Sequence, residues 1–252
     1  MTEWYHYILL VVIGFIVGVI NTLSGGGSTL TLPILIFLGL PSATANGTNR
    51  IAILIQTIFA FLGFKSKKVT TNYSPFGWYL AIAATVGSII GSEIALDIKD
   101  ALFNRILAVV MIMIVGFMVF KPKKNLQELT ERLTGKYAFW GTIAFFFIGI
   151  YGGFIQAGAG IIMLLTLSTI NHMTLVRSNV IKAMVMTIYI AATLLVFGLN
   201  GKLDWGIGLI LASGQALGGW LTSRWSVNKN DNVVKVFLII MVLVMAVKLW
   251  FF

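Results

Sequence analysis

The chain has 252 residues, of which 58% are hydrophobic and only 10% are charged, whereas about a quarter of the residues in a soluble domain are charged. Most of the apolar residues fall in blocks long enough to cross a bilayer as helices, which takes about 20 residues each, and this excludes an ordinary soluble fold. The formal net charge of +10 comes from Lys and Arg residues between these blocks, as the positive-inside rule predicts, so a nucleic-acid partner is not expected.

Apolar segments along the whole chain predict an all-α polytopic membrane protein. In chain order they are 5–23, 28–41, 46–64, 76–96, 102–120, 137–155, 158–171, 178–199, 204–222 and 233–251. Continuous apolar runs favour helices over the alternating strands of a barrel, because backbone facing lipid must satisfy its own hydrogen bonds. Segments 28–41 and 158–171 are too short to span comfortably. If these two segments are re-entrant, eight helical segments cross the membrane. If they cross, ten segments do.

Each short segment follows a glycine-rich break, and the similarity between the two predicts an internal duplication. The breaks read Ser24-Gly25-Gly26-Gly27-Ser28 and Gln156-Ala157-Gly158-Ala159-Gly160. An offset of 133 residues pairs Asn46 with Asn179, Asn49 with Lys182, and Gln56 with Tyr189. We therefore predict one transporter domain over 1–252, with repeats 1–120 and 137–252 joined by the loop 121–136.

The basic residues of the connections predict the orientation of the chain. Nearly all of them fall on one side if every segment crosses, which places both termini outside and the loop 121–136 in the cytoplasm. An odd number of crossings in each half makes the two repeats inverted. If the short segments do not cross, the repeats are parallel instead, and this alternative stays open.

The glycine-rich breaks are the first candidate binding elements. Successive glycines let backbone amides converge, and a helix N-terminus carries partial positive charge that favours an anion. The candidate residues are Ser24, Gly25, Gly26 and Gly27 in the first half and Gln156, Gly158 and Gly160 in the second. The alternative is that these glycines only permit a sharp turn or close helix packing.

The second candidate element is a polar stripe on the third and eighth segments. It comprises Asn46, Thr48, Asn49, Arg50 and Gln56 in one half and Ser178, Asn179, Lys182 and Tyr189 in the other. Ionisable groups inside spans are costly and usually face a partner or cavity. No acidic residue lies nearby in sequence, so a bound anion is the simplest partner for the two cations. The alternative is that Arg50 and Lys182 extend to the lipid headgroups.

Other motifs predict packing and not chemistry. Four glycine pairs spaced four residues apart match the close-packing pattern of membrane helices: Gly14 and Gly18, Gly87 and Gly91, Gly149 and Gly153, and Gly214 and Gly218. The sequence has no cysteine and shows no paired catalytic carboxylates, nucleophile triad or metal-ligand spacing. We therefore predict neither an enzyme nor a cofactor or metal site.

The first glycine-rich break, the Pro33 that follows it and the run Ala45-Asn46-Gly47-Thr48-Asn49 resemble the sulfite exporter TauE/SafE family. The resemblance covers essentially the whole chain, including the run Ser178-Asn179-Val180-Ile181-Lys182 of the second half. It implies a bacterial or archaeal inner-membrane permease for sulfite, an organosulfonate or another small organic anion. Members of the family are usually described with seven or eight spans, fewer than the ten segments counted above.

Together these observations predict a multi-pass secondary transporter whose partners are a small anion and the lipid bilayer. In an inverted repeat, Arg50 and Lys182 would approach each other around the pseudo-two-fold axis. No ATP-binding motif is present, so a gradient must supply the energy. A coupling ion, proton or sodium, and a homo-oligomer both stay open. An anion channel with the same central site and a structural membrane protein are the alternatives.

Overall fold

The computed structural model describes residues 4–70, 72–119 and 130–227, and the regular structure in these ranges is entirely α-helical. The predicted all-α class is therefore confirmed. The predicted segment 233–251 lies outside the described residues, as does most of the loop 121–136. The helices of the described ranges are α1 (Trp4–Ser24), α2 (Ser28–Phe37), α3 (Ser42–Ser66), α4 (Phe76–Asp97), α5 (Asp100–Val119), α6 (Gly135–Phe154), α7 (Ala159–Thr169), α8 (Leu175–Leu199) and α9 (Trp205–Ser226).

Helix length separates spanning helices from short ones. Within the described residues, five helices, α1, α3, α4, α6 and α8, are long and apolar enough to cross a membrane. The helices α2 and α7 have 10 and 11 residues, or roughly 15 Å at about 1.5 Å per residue. That is half the hydrocarbon thickness of about 30 Å, so neither can span by itself.

The long central helices α3 and α8 begin earlier than the apolar pattern predicts. α3 begins at Ser42 after Pro41, and α8 begins at Leu175 after Thr174, whose side chain accepts a hydrogen bond from the backbone N–H of Arg177. The hydropathy pattern missed these first turns because they contain polar residues. The polar stripes consequently start at the second turn of each helix and not at its end.

The four glycine pairs bring helices from opposite halves of the chain into close contact. α1 packs along α9, and α4 packs along α6. A side chain at Gly18 would overlap the carbonyl oxygen of Gln215, and one at Gly218 would overlap that of Phe15. Equivalent overlaps with facing backbone occur at Gly87, Gly91, Gly149 and Gly153. The predicted close-packing role of these glycines is confirmed.

The central position of α3 and α8 brings their polar residues into the protein interior. These two spans are the most buried of the five, with 67% and 56% of an 18-residue apolar stretch of each helix inside the bundle. The outer helices instead expose large apolar side chains such as Trp78, Ile82 and Phe147, which suits a surface in lipid. A polar group on α3 or α8 must therefore find its hydrogen-bond partners inside the bundle.

Candidate functional site

The two glycine-rich breaks meet in the middle of the structure. Gly25 and Gly158 have φ angles of 78° and 71°, in the left-handed region that glycine adopts at low cost. A Cβ atom added to Gly25 would lie 2.5 Å from the Cα of Gly160, and one added to Gly160 would lie 2.6 Å from the Cα of Gly25. The end of α1 and the start of α7 can approach this closely only because both positions lack side chains.

The first break satisfies part of its own polar backbone. The N–H of Gly25 donates to the carbonyl of Asn21 at 2.9 Å, and that of Gly26 donates to the Ser24 hydroxyl at 3.3 Å. The Thr29 hydroxyl donates to the carbonyl of Gly26 at 2.6 Å. These amides are engaged inside the break, so they are less available to a ligand than the sequence alone predicted.

Arg50 of α3 binds the C-terminal end of α6. The residue is fully buried, and one terminal nitrogen, Nη2, donates to the carbonyls of Gly152, at 3.2 Å, and Gly153. The other, Nη1, donates to the Thr193 hydroxyl at 2.9 Å. The last carbonyls of a helix lack intrahelical donors and carry partial negative charge. The guanidinium therefore satisfies and partly neutralises the end of α6.

Asn46 and Phe197 make further contacts with Arg50. We use the name Arg50 cluster for Arg50, Asn46, Thr193, Phe197 and the end of α6 that they contact. Asn46 accepts a hydrogen bond from Arg50 at 3.3 Å through Oδ1 and donates to the carbonyl of Phe154 at 2.7 Å through Nδ2. The guanidinium carbon lies 4.7 Å from the centre of the Phe197 ring, within range of a cation–π contact. The cluster thus ties α3, α6 and α8 together.

Lys182 of α8 forms a corresponding set of contacts at the C-terminal end of α1, which we call the Lys182 cluster. Its Nζ donates to the carbonyls of Asn21 and Thr22 at 2.7 and 3.0 Å, and to Oδ1 of Asn179 at 2.7 Å. The Asn179 side chain in turn donates to the carbonyl of Leu23 at 3.4 Å. A buried ammonium therefore holds the end of α1, as the guanidinium holds the end of α6.

Neither cation reaches the membrane surface, so the alternative in which they extend to the headgroups is wrong. Arg50 has 0% and Lys182 has 3% of its surface exposed. In the described part of the chain the one ion pair joins Arg177 to Glu131 at 2.9 Å, and neither buried cation has a carboxylate partner. Arg50 and Lys182 share no hydrogen-bond partner either. The structure binds each cation to a different helix end and does not pair them at one point.

Gln56 and Tyr189 attach the central helices to the same breaks. Gln56 of α3 accepts from Nδ2 of Asn21 and donates to the Thr22 hydroxyl at 2.9 Å. Tyr189 of α8 donates to Oε1 of Gln156 at 3.0 Å. The sequence analysis missed Asn21 and Thr22, although Asn21 corresponds to Gln156 at the same offset of 135 that pairs the glycines of α1 and α6.

The remaining predicted site residues lie in different surroundings. Oδ1 of Asn49 accepts from the Thr31 hydroxyl of α2 at 2.7 Å, and Ser178 is buried. Thr48 accepts a hydrogen bond at 2.8 Å from the backbone N–H of Asp204, the residue that caps α9. Thr48 therefore anchors the start of α9 and belongs to neither cluster.

Three buried nitrogen donors next to these contacts have no acceptor in the described structure: Nε of Arg50, Nδ2 of Asn49 and Nε2 of Gln156. Arg50 and Gln156 both border Gly152, since Arg50 donates to its carbonyl and a Cβ there would lie 3.5 Å from Oε1 of Gln156. A buried donor without a partner costs about 1–3 kcal/mol. An anion would supply the missing acceptors.

A narrow polar cavity lies between α1, α3 and α8. Its polar lining consists of Asn21, Thr22, Gln56, Thr57, Asn179 and Lys182, and its apolar lining includes Phe64 and Met186. No part of the cavity is wide enough for a water molecule. A ligand can therefore reach Lys182 through this cavity only if the helices around it move.

The chain is similar over nearly its full length to several membrane proteins. A probable membrane transporter protein of Haemophilus influenzae is 29% identical, over 96% of this chain and 93% of the relative. The probable membrane transporter protein YfcA of Escherichia coli K12 is 28% identical, over 96% and 88%, and the probable membrane transporter protein ORF9 of a Sinorhizobium species is 27% identical, over 95% and 90%. No solved structure gives a significant match.

The family comparison agrees with the fold. The model of the family described as sulfite exporter TauE/SafE matches residues 10–249, which is nearly the whole chain. Five apolar helices of spanning length, within the described residues, place the protein in the cell membrane as a multi-pass protein. With its relatives it is a membrane transporter and not an enzyme, and the chain belongs to the sulfite exporter TauE/SafE family.

Proposed function

We propose that this protein is a secondary transporter that moves a small anion through a site between Arg50 and Lys182. One observation carries the proposal: two buried cations lie at the two helix breaks, and neither has a carboxylate partner within the described residues. Burying charge inside a membrane protein is costly, and such residues usually mark a substrate or ion pathway. A structural role alone would be met more cheaply by neutral donors.

Charge accounting supports an anionic ligand. The two cations contribute +2, and each helix C-terminus that they contact contributes about −0.5. Roughly one unit of positive charge is then left in the interior. A monovalent anion would balance this excess, and the unpartnered donors of Arg50, Asn49 and Gln156 would hydrogen-bond to its oxygen atoms.

Alternating access provides the route to this closed site. We propose that the halves 1–120 and 137–252 are an inverted duplication, which places the binding site at the repeat interface. In this arrangement α2 and α7, which are too short to span alone, count as crossings only together with their neighbouring segments. Two correspondences support the duplication: each buried cation holds the end of the first helix of one half, and Gln56 and Tyr189 contact Asn21 and Gln156. The contact between Gly25 and Gly160 would then be the place where the halves move against each other.

The family description supports sulfite, an organosulfonate or a related sulfur-containing anion as the substrate class. The relatives named above are called only probable membrane transporters, so the narrower assignment is ours. All of these candidates present several oxygen atoms around one small negatively charged group. That arrangement suits several N–H donors on one side of a ligand.

The proposal is tested by the thermal stability of the purified protein in detergent, measured with sulfite, sulfate, thiosulfate, a small sulfonate and a small carboxylate. A ligand that binds only the folded state raises the melting temperature, and we expect one anion class to do so. Arg50→Gln should weaken binding by about 1.5–3 kcal/mol, the value of a hydrogen bond to a charged group, or roughly one to two decades in Kd. Lys182→Gln should weaken binding by a comparable amount, because it removes one of the two buried positive charges.

Lys99→Gln is the matched control, because Lys99 is exposed just before α5 and has the same charge. It should bind as the wild type does. If Lys182→Gln folds and binds the anion with wild-type affinity, the placement of the site is wrong. Counterflow of labelled anion in proteoliposomes separates a transporter from a channel, since only alternating access gives transient accumulation against the gradient.

A further inference from the structure

The hydrogen bonds of Lys182 match the protonated form of its side chain. An ammonium group has three N–H donors and no acceptor, and three acceptors surround Nζ: the carbonyls of Asn21 and Thr22 and Oδ1 of Asn179. A neutral amine has two donors and one lone pair, so one of these oxygens would face the lone pair. The closed arrangement at the end of α1 therefore requires the ammonium form.

We infer that Lys182 carries a proton that is transported together with the anion, and that gaining or losing this proton closes or opens the contact between α8 and the end of α1. The inference rests on the proposed function. The step is a simple acid dissociation: the ammonium loses one N–H bond, its electron pair stays on nitrogen, and the proton passes to water on the side where the cavity has opened.

The surroundings make Lys182 the proton site of this region. No other titratable side chain lines its cavity. Besides Lys182, the buried titratable groups on α3 and α8 are Arg50 and Tyr189, and both lie in or beside the Arg50 cluster. Tyr73, which precedes α4, is also buried but does not line the cavity. On α6, which also packs against α8, the Tyr151 hydroxyl donates a hydrogen bond to the carbonyl of Ala157. The acidic residues of α4 are exposed, and the described part of α1 and all of α7 contain no buried titratable side chain.

The two clusters differ in one chemical respect that matters for coupling. A guanidinium stays protonated under all physiological conditions, whereas a buried lysine can release its proton. The side chain that holds the end of α6, Arg50, therefore always carries its positive charge. The side chain that holds the end of α1, Lys182, can lose its charge by releasing a proton. A proton gradient can act on the one contact and not on the other.

Charge balance sets the direction of coupling. With anion bound, the excess positive charge of the interior is compensated and Lys182 keeps its proton. After the anion leaves, the protonated empty site would retain an uncompensated buried charge, which opposes the return of the empty transporter. Loss of the proton from Lys182 removes that charge. Anion and proton therefore cross in the same direction, and the empty site returns with a neutral amine.

Lys182→Arg tests the inference because it fixes a cation at this position. The full-length variant is reconstituted in proteoliposomes with labelled sulfite, and with the other anions of the screen if sulfite is inert. Exchange at equal anion concentration and equal pH needs no deprotonation, so each variant's own exchange rate is the reference for its net uptake. Relative to that exchange rate, net uptake driven by an imposed pH gradient, with proton uptake followed by an internal pH dye, should fall at least tenfold. Lys99→Arg should behave as wild type in both assays.

A second variant keeps the inference testable if Lys182→Arg fails to fold. Asn179→Leu removes one of the three acceptors, so the ammonium form is less favoured, and the pH profile of net uptake should move toward acid by about one unit. Net uptake by Lys182→Arg that equals wild type relative to exchange, or an unchanged pH profile of Asn179→Leu, overturns proton coupling while leaving anion transport intact. Absence of exchange by wild type with every anion of the screen overturns the proposed function instead.

Discussion

Gly25→Ala is the substitution that most directly tests how the two helix breaks fit together. Gly25 has a φ angle of 78°, which costs an L-residue about 1–2 kcal/mol. Its added Cβ would also lie 2.5 Å from the Cα of Gly160 and 2.7 Å from the N of Ile161. Backbone cannot move aside as a side chain can, so overpacking adds about 1–3 kcal/mol.

The matched control is the next residue in the same break. A Cβ on Gly26 would meet nothing closer than the flexible end of the Ile161 side chain, at 3.0 Å, and the φ of Gly26 is not in the left-handed region. Gly26→Ala should therefore cost less than about 1 kcal/mol. The pair differs by one position in sequence, yet the expected cost differs by a few kcal/mol.

Thermal unfolding of the two variants in the same detergent measures this difference. A loss of about 2–5 kcal/mol in a protein of this size lowers the melting temperature by at least about 4 °C. Gly25→Ala should show this loss, together with weaker anion binding, because the end of α1 carries the carbonyls that hold Lys182. Equal stability of Gly25→Ala and Gly26→Ala would refute the contact between the two breaks.

Two further predictions concern helix packing and orientation. Gly18→Ala should destabilise the protein by about 1–2 kcal/mol, because its Cβ would lie 2.5 Å from the carbonyl oxygen of Gln215. Gly206→Ala is the control: its Cβ would meet only the Asp204 carboxylate at 3.5 Å, so it should be neutral or stabilising in a thermal unfolding assay. The reverse order of stabilities would refute the close α1–α9 contact. The chain has no cysteine, so single cysteines introduced at Lys67 and Lys202 can be labelled from either side of the membrane. We expect Lys67→Cys to react only from the cytoplasm and Lys202→Cys only from outside. Labelling of both from one side would contradict the orientation predicted from the basic residues.

The amino-acid sequence determined the fold class and the list of candidate residues. Continuous apolar blocks require helices in lipid, and the structure confirms nine of the ten predicted segments as helices within the described residues. Arg50 and Lys182 were recognisable because ionisable residues are rare inside spans. The shortness of α2 and α7 was also readable, since helix length follows from residue number.

Only the tertiary structure decided what these residues touch. Arg50 binds the end of α6 and Lys182 the end of α1, contacts that join positions more than 100 residues apart and have no local sequence signal. Thr48 proved to anchor α9, although it lies in the same polar stripe as Asn46 and Arg50. A helical stripe gives the direction of a side chain relative to its own axis. The partner it meets depends on how neighbouring helices pack, and here the glycines of α1, α4, α6 and α9 set that packing.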